Sequence, residues 1–470
     1  MSVSCQRRAD RFPFRPRRGR LLYSPAMEYK RLLSAPHWKT RLLTWIAAAA
    51  VGLAAVGFAK IADIAQLGLR RLIGVFPATP WLLAPFGFYV IAWLTRRFFR
   101  GAEGSGIPQT IFAQRPDAGG LGQLFLEPRV VIGRVVLAAA GLFCGGSIGR
   151  EGPTVHVGAV IIHGMSRWMP HGRSESYRRS MILAGGAAGV AAAFNTPLAG
   201  IVFAIEELSK SFEERASGTT LTAVILAGVV AIALVGDYNY FGQPMVSLQA
   251  QSISPATLLI AVACGLSGGA FSRLTLVSTA YLPGAMGQLR RQRPALFAGL
   301  CGVGVAALGV WSGGLTYGTG YDEARAILAG QVHLPWSYAP ARAIATLLSY
   351  LSGIPAGLLA PSLSVGAGLG QFIADHLGQA SSVPLAILGM CGFLAGVTQA
   401  PLTSFVIVME MTSQHAMVLP LMLTAAIATA LSQLISPALY QSLAGRYAAP
   451  GYAPPAKRPW LGPPGSAPPG

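Results

Sequence analysis

Acidic residues within apolar stretches are the first candidates for chemistry in this sequence. Glu151 stands in the segment Gly-Arg-Glu-Gly-Pro, while Glu206, Glu207 and Glu410 end or interrupt apolar runs. An ionisable group in apolar surroundings is costly and is by default a functional candidate. At a helix start, a carboxylate can occupy the N–H groups that would also attract a free anion. Glu151 is therefore a candidate gate that competes with an anion when ionised and leaves when protonated.

Each of these acids also has a structural interpretation. Glu151 could be a simple helix-start carboxylate that pairs with Arg150 or with the helix dipole. Glu206 and Glu207 could form a solvated helix end near one membrane face, and Glu410 could be a buried structural acid. Periodicity does not choose among these three interpretations.

Three glycine-containing segments each end in a proline that can open a helix: 104–108, 149–153 and 357–361. Each predicts a helix N-terminus inside an apolar region. Free N–H groups and the positive end of the helix dipole would attract an anion there without a full positive charge, which permits rapid exchange. The alternative is that these glycines only allow close packing where helices cross.

The two halves of the chain resemble each other. Residues 153–159 match residues 361–367 at an offset of 208, and the Pro197 to Glu206 segment matches Pro401 to Glu410 at an offset of 204. Duplicated bundles are a transporter architecture in which broken helices point at a substrate near the membrane midplane. The repeat favours an anion site where the halves meet.

Composition excludes an ordinary soluble domain. Of the 470 residues, 53% are hydrophobic and only 11% are charged. Apolar stretches that approach the length of a membrane span, some broken by glycine, occur at 42–58, 130–144, 221–235, 258–269 and 418–435. Breaks by glycine and proline are tolerated where the backbone is packed inside the protein or lines a cavity. We therefore predict an all-α protein that crosses the membrane several times.

Nearly half of the net positive charge lies before the first predicted span. The chain has a formal net charge of +19, and residues 1–41 contain eleven Lys or Arg against two acids. We interpret 1–41 as a basic cytoplasmic segment that orients the protein, rather than as a nucleic-acid arm. The membrane domain is predicted at 42–446, with repeat halves at 42–236 and 255–446. Residues 447–470, rich in proline, glycine and alanine, are predicted to be a disordered tail.

Other classes of function have little support. The segment 145–149 fits G-x-S-x-G, but a hydrolase nucleophile needs a strand-turn-helix context, and an intramembrane protease needs a base on another helix. We therefore expect no catalytic residue, although a polytopic intramembrane enzyme stays the alternative of a different class. No Walker motif supports ATP drive. We expect no metal and no cofactor, and we expect core thiols at Cys144, Cys264, Cys301 and Cys391.

The sequence resembles the CLC family of chloride channels and proton-coupled chloride antiporters, of the bacterial type without cytoplasmic nucleotide-binding domains. The resemblance rests on the three glycine-containing segments, on residues 193–200 leading to Glu206 and Glu207, and on Tyr440, all in the family's order. It runs from about residue 40 to residue 446. It implies two inverted repeats of broken, tilted helices, a homodimer with an anion pathway in each subunit, and a multi-pass protein of the inner membrane.

The resemblance also implies roles for particular residues. The hydroxyls of Ser105 and Tyr440 and the backbone N–H groups of Leu358 and Leu359 would hold the central anion. Glu151 would be the external gate, and Glu207 would pass protons toward it from the cytoplasmic side. Because family channels commonly lack an acid at the position of Glu207, the resemblance favours chloride/proton antiport, with a passive channel of the same family as the alternative.

Three positions refine this reading of the resemblance. Serine at position 105 resembles chloride-selective members, whereas nitrate-preferring relatives often have proline there. Leu359 replaces a phenylalanine found in many members, which could widen the pathway near the central site. Gln109 stands where similar bacterial antiporters often have an acid, which changes the local electrostatics rather than the fold.

Overall fold

A computed structural model describes residues 35–169, 174–208, 218–236, 241, 242, 244 and 253–448. Within this part of the chain the structure consists of 19 α-helices and contains no β-strand. The helices are α1 Ala35–Val75, α2 Thr79–Phe98, α3 Ile107–Ala113, α4 Gly119–Phe125, α5 Pro128–Phe143, α6 Glu151–Ser166, α7 Glu175–Phe194, α8 Pro197–Phe203, α9 Gly218–Val235, α10 Pro255–Ala280, α11 Gly284–Gln292, α12 Pro294–Trp311, α13 Tyr321–Leu328, α14 Tyr338–Leu351, α15 Leu359–His376, α16 Val383–Thr398, α17 Pro401–Thr412, α18 Val418–Ile435 and α19 Leu439–Tyr447.

Long apolar helices alternate with short ones, as the glycine and proline breaks predict. Four described helical stretches are long and apolar enough to cross a membrane: Trp38–Val75, Pro255–Ala280, Pro294–Trp311 and His415–Ile435. Shorter helices such as α3, α8 and α13 begin directly after glycine or at proline. The all-α membrane fold predicted from the sequence is confirmed.

The ends of the domain lie partly outside the described residues. Helix α1 begins at Ala35, seven residues before the predicted boundary at residue 42, because the turn at 35–41 continues into the apolar helix without a break. The predicted basic segment lies outside the described residues up to residue 34, as does the predicted tail from residue 449.

Two repeat-equivalent glycines contact each other where the halves meet. The Gly149 N–H donates to the Gly357 carbonyl at 2.8 Å, and the Gly357 N–H donates to the Gly149 carbonyl at 3.2 Å. These residues are separated by the repeat offset of 208, and the pairing is antiparallel. The chain therefore runs in opposite directions through two equivalent segments, which is the relationship that inverted repeats require.

Close helix crossings recur at equivalent positions in both halves. Helix α6 packs against α7 through Gly158 and Gly185, and α15 packs against α16 through Gly366 and Gly389. In each pair, a side chain on either glycine would collide with the backbone of the other helix. Small residues of this kind let membrane helices approach closely. At these crossings the glycines therefore serve close packing of helices. The crossings are separate from the three predicted helix breaks.

Two buried arginines, also separated by 208 residues, hold the glycine-containing turns that precede the short helices. Arg134 donates to the carbonyls of Gly101 at 2.7 Å and Gly104 at 2.8 Å, before α3. Arg342 donates to the carbonyls of Tyr317 at 3.1 Å and Gly318 at 3.3 Å, before α13. Both arginine side chains are fully buried. In each half of the chain, a buried arginine therefore holds the turn that precedes a short helix.

Candidate functional site

The carboxylate of Glu151 reaches from one half of the chain to a helix start in the other. Glu151 is the first residue of α6, and its side chain is fully buried. One carboxylate oxygen, Oε2, accepts the N–H of Ala360 at 3.3 Å, and the other, Oε1, accepts the Tyr321 hydroxyl at 2.7 Å. Because Ala360 lies in the first turn of α15, the carboxylate occupies a position where orphan N–H groups and the helix dipole favour a negative charge.

The neighbouring arginine extends toward helix α1. The Arg150 guanidinium donates to the Asp63 carboxylate at 2.7 Å and to the Ala59 carbonyl at 3.0 Å. Its central carbon also lies 5.5 Å from the centre of the Tyr321 ring. Arg150 thus adds positive charge beside the candidate gate, and its hydrogen bonds to Asp63 and Ala59 anchor it to helix α1.

Leu358 and Leu359 stand at the same helix start as Ala360. Leu358 is the N-cap residue of α15 and Leu359 its first residue, and both side chains are buried. The N–H groups at these positions have no acceptor within their own helix. They lie at the same helix start as the Ala360 N–H, which the Glu151 carboxylate accepts.

Ser105 and Tyr440 place two hydroxyl groups in the same buried region. Both side chains are fully buried, and the two hydroxyls are close enough to interact with each other but have no other hydrogen-bond partner among the described residues. Ser105 precedes α3, Tyr440 is the second residue of α19, and these two helices pack together. A buried polar group without a partner costs roughly 1–3 kcal/mol. Two donors side by side with no partner beyond each other are consistent with a bound acceptor such as an anion.

Gly152, next to the candidate gate Glu151, lets these groups approach one another. A side chain at Gly152 would collide with the hydroxyl and the carbonyl oxygen of Ser105. The backbone that carries Glu151 therefore lies directly against the loop that carries Ser105. The segments predicted as helix breaks at 104–108, 149–153 and 357–361 all meet here, because Gly104 also pairs with the backbone of residues 354–356.

Glu207 is buried, in contrast to the solvated helix end that its position in the sequence allows. It lies in a π-helical turn, Ala204–Leu208, that continues α8, and only 4% of the residue is exposed. Its Oε1 atom has no hydrogen-bond partner among the described residues. The Glu207 carbonyl accepts the side-chain amide of Gln441 at 2.8 Å, which ties this turn to the residue after Tyr440. A π turn often marks a functional position.

Glu206 and Glu410 lie apart from this cluster and cap helices. The Glu206 carboxylate accepts the N–H groups of Leu402 at 3.0 Å and Thr403 at 2.7 Å. The Glu410 carboxylate accepts the N–H groups of Leu198 at 3.2 Å and Ala199 at 2.8 Å. Glu410 is thus a half-buried capping acid rather than the fully buried one that was one interpretation of its sequence position, and Glu206 caps a helix in the same way.

A basic cavity lies next to the loop that carries Ser105. It has a volume of about 740 Å³ and is lined by Gly104, the residue before Ser105, and by the acid Glu103. Its walls also carry four guanidinium groups, those of Arg96, Arg100, Arg290 and Arg446. A cleft lined by one sign of charge raises the local concentration of the opposite ion. This cavity is suited to be an entrance for anions.

A comparison with known protein families identifies the architecture. Residues 86–433 match the family model described as voltage gated chloride channel. The chain belongs to the CLC family. Three curated CLC relatives carry the name H(+)/Cl(-) exchange transporter ClcA. They come from Citrobacter koseri (31% identity, 78% of this chain and 77% of the relative), Cronobacter sakazakii (31%, 86% and 89%) and Salmonella arizonae (30%, 92% and 92%).

Solved structures show the same CLC fold. A slow cyanobacterial Cl−/H+ antiporter superimposes with a TM-score of 0.73 at 23% identity, covering 87% of this chain and 97% of the other. A CLC-type fluoride/proton antiporter superimposes with a TM-score of 0.71 at 22% identity, covering 87% and 99%. The predicted fold of inverted repeats is thereby confirmed.

Tyr321, whose hydroxyl donates to the candidate gate Glu151, was not predicted from the sequence. Tyr321 lies in a stretch that contains no acid-glycine motif, and its spacing from Glu151 shows no relation to the repeat. A signal was available in Arg134 and Arg342, whose separation equals the repeat offset. Arg134 holds the glycine-containing turn before α3, and Arg342 holds the turn at 317–320. The repeat spacing of the two arginines could therefore have marked the second turn as the counterpart of the first.

Gln109 closes the start of α3 in the place of the expected acid. Its side-chain oxygen accepts the Gly106 N–H at 3.1 Å, and its amide donates to the Glu103 carbonyl at 2.6 Å. A neutral amide therefore performs the capping at this CLC position. The serine of the G-x-S-x-G segment, Ser147, pairs with the Thr346 hydroxyl at 2.8 Å instead of a basic side chain.

Proposed function

We propose that this chain exchanges chloride for protons across a membrane, with Glu151 as the gate of the anion pathway. The observation that carries the proposal is the hydrogen bond from the Ala360 N–H to the Glu151 carboxylate. It puts a titratable side chain at an anion-attracting helix start in the centre of the protein. Three relatives named H(+)/Cl(-) exchange transporter support the assignment of both ions.

The central chloride is held by donors without a formal charge. The hydroxyls of Ser105 and Tyr440 have no other partner among the described residues, and the N–H groups of Leu358 and Leu359 stand at the start of α15. Chloride accepts hydrogen bonds and donates none, so a set of four donors suits it. Partial charges hold the ion loosely enough for release.

Protons move between Glu207 and Glu151. Glu207 is buried, and one of its oxygens lacks a partner among the described residues. Tyr440 is close enough to interact electrostatically with both Glu207 and Glu151. A carboxylic acid at each end of this region can accept and release a proton, and protonation of Glu151 frees its place for chloride.

Transport by purified protein in chloride-loaded liposomes tests the proposal. A chloride gradient imposed across the vesicle wall should drive protons uphill, as followed by a pH electrode. Glu151→Gln should move chloride without moving protons. Chloride movement without uphill proton movement in the unsubstituted protein would identify a passive channel instead, and absence of both fluxes would reject anion transport.

We further propose that the protein is a homodimer in the inner membrane with its N-terminus in the cytoplasm. The basic residues before Leu42 support this orientation. Helices α8, α9, α17 and α18 expose large apolar side chains, among them Leu198, Ile225, Leu402 and Met422, on which a second subunit can pack. Chemical cross-linking in native membranes tests the dimer, and the accessibility of a cysteine placed at position 34 tests the orientation.

A further inference from the structure

We propose that Tyr321 is the latch of the gate: its hydroxyl holds the Glu151 carboxylate in the anion position and so sets how easily chloride displaces it. The proposal rests on the proposed function of Glu151. It assigns a positioning role to a residue in the second half of the chain, on a helix that does not contribute to the central anion ligands.

The contact is short and buried. The Tyr321 hydroxyl lies 2.7 Å from Glu151 Oε1, whereas the Ala360 N–H lies 3.3 Å from Oε2. The tyrosine therefore makes the shorter of these two hydrogen bonds. Hydrogen bonds in which the acceptor is ionised are shorter and stronger than neutral ones. Removing the hydroxyl should weaken the hold on the ionised side chain while leaving the helix start of α15 intact.

Tyr321 is fixed in place by its own half of the protein. It is the first residue of α13, and the two glycines before it, Gly318 and Gly320, have positive φ values of 76° and 90°. Arg342 holds this turn through the Gly318 carbonyl and also contacts the Glu323 carboxylate at 3.1 Å. The tyrosine is thus presented by a rigid turn rather than by a free loop.

The ring of Tyr321 is also packed on two sides. The Phe241 ring lies 5.7 Å from it, centre to centre, and the Arg150 guanidinium lies 5.5 Å from its centre. These contacts involve the ring and not the hydroxyl. A phenylalanine at position 321 can keep both of them, so a Tyr321→Phe substitution isolates the hydrogen bond to Glu151.

The repeat explains why this position faces the site. In the first half, Arg134 holds the turn at Gly104, and the next residue is Ser105. In the second half, Arg342 holds the turn at Gly318, and Tyr321 follows three residues later. Both turns deliver a hydroxyl group to the region where the halves meet. One hydroxyl stands at the proposed central chloride, and the other binds the gate.

Chloride binding to purified full-length protein at neutral pH, measured by isothermal titration calorimetry, tests the latch. A hydrogen bond to a charged group is strong enough that its loss should make Tyr321→Phe bind chloride roughly ten-fold more tightly. Chloride affinity should rise because chloride competes with the ionised Glu151 carboxylate, which holds the anion position less firmly without the tyrosine hydroxyl. Chloride flux through Tyr321→Phe in liposomes should still be coupled to protons.

The same substitution in a Glu151→Ala background is the decisive comparison, because alanine offers the Tyr321 hydroxyl no acceptor. With no side chain to hold, Tyr321→Phe should leave chloride affinity unchanged there. Tyr317→Phe is the matched control, because this neighbouring buried tyrosine donates to the Ala306 carbonyl at 3.2 Å and not to the gate. It should leave chloride affinity unchanged in both backgrounds.

The outcomes separate the latch from the proposed function. Unchanged affinity in Tyr321→Phe alone, or an equal change with and without Glu151, overturns the latch. If Tyr321→Phe is silent while Glu151→Gln still uncouples protons, the proposed function stands and only the latch is wrong. Failure of the unsubstituted protein to bind chloride overturns both.

Discussion

Glu206 and Glu410 each cap the helix that carries the other. Each glutamate comes nine residues after the proline that opens its own helix, and each accepts two N–H groups from the first turn of the partner helix. This exchange is possible only when α8 and α17 lie side by side in opposite directions. The acids that the sequence repeat pairs thus demonstrate the inversion that sequence similarity alone does not reveal.

The reciprocal caps predict matched losses of stability. Replacing Glu410 by Ala leaves the N–H groups of Leu198 and Ala199 without their acceptor, which should cost about 1–3 kcal/mol. Glu206→Ala should cost a similar amount at Leu402 and Thr403. The midpoint of thermal unfolding of the detergent-solubilised protein measures both effects.

Glu175→Ala serves as the control for the two capping variants. It removes an acid that forms only partly exposed ion pairs with Arg178 and Arg179. A midpoint for Glu410→Ala that matches this control would contradict the capping role.

Replacing Glu207 by Gln should stop proton movement and spare chloride movement. Glutamine keeps the shape of the side chain but cannot release a proton. Parallel recordings of chloride efflux and of pH in proteoliposomes measure the two ions separately. Glu206→Gln is the matched control, since the adjacent acid caps α17 and should remain coupled. Equal proton movement by Glu207→Gln and the unsubstituted protein would remove Glu207 from the proton path.

Replacing Glu151 by Gln should make chloride movement independent of proton supply. The amide cannot ionise, so it no longer competes with chloride for the start of α15. We expect chloride efflux from the unsubstituted protein to depend on pH, and efflux through Glu151→Gln should vary little across the neutral range. If the pH dependence of efflux in Glu151→Gln equals that of the unsubstituted protein, another group is the gate.

Part of the site's arrangement could be predicted from the sequence, namely the part in which a short motif determines the backbone geometry. Glycine followed by proline predicted the starts of α6 and α15, and the offset of 208 paired them, so the meeting of Glu151 with residues 358–360 was foreseeable. The backbone contact between Gly149 and Gly357 is the physical reason. A side chain on Gly357 would collide with the Gly149 carbonyl, so glycine at 357 is required for the halves to approach.

Two features depend on tertiary packing and were not foreseeable in the same way. The π turn at Ala204–Leu208 has no counterpart in the regular helix α17, although the flanking sequences match. It places Glu207 in the interior, where periodicity suggested only a helix end. The contact of Tyr321 with Glu151 likewise depends on two glycines with positive φ and on a buried arginine, none of which alters the local apolar pattern.

The hydroxyls of Ser105 and Tyr440 predict a direct loss of chloride affinity. Ser105→Ala and Tyr440→Phe each remove one donor to the ion, and each should weaken chloride binding by roughly ten-fold, because a hydrogen bond to a charged acceptor is among the stronger ones. Titration calorimetry on the purified variants measures the effect, and chloride flux in liposomes shows its consequence for transport.

Ser147 supplies the control for this last prediction. Its hydroxyl is as deeply buried as that of Ser105, but it is bonded to Thr346 and lies in the G-x-S-x-G segment. Ser147→Ala should therefore leave chloride affinity unchanged if the segment is structural. Loss of chloride binding in Ser147→Ala with full binding in Ser105→Ala would place the ion elsewhere. Unchanged affinity in both Ser105→Ala and Tyr440→Phe would mean that these hydroxyls serve packing and not the anion.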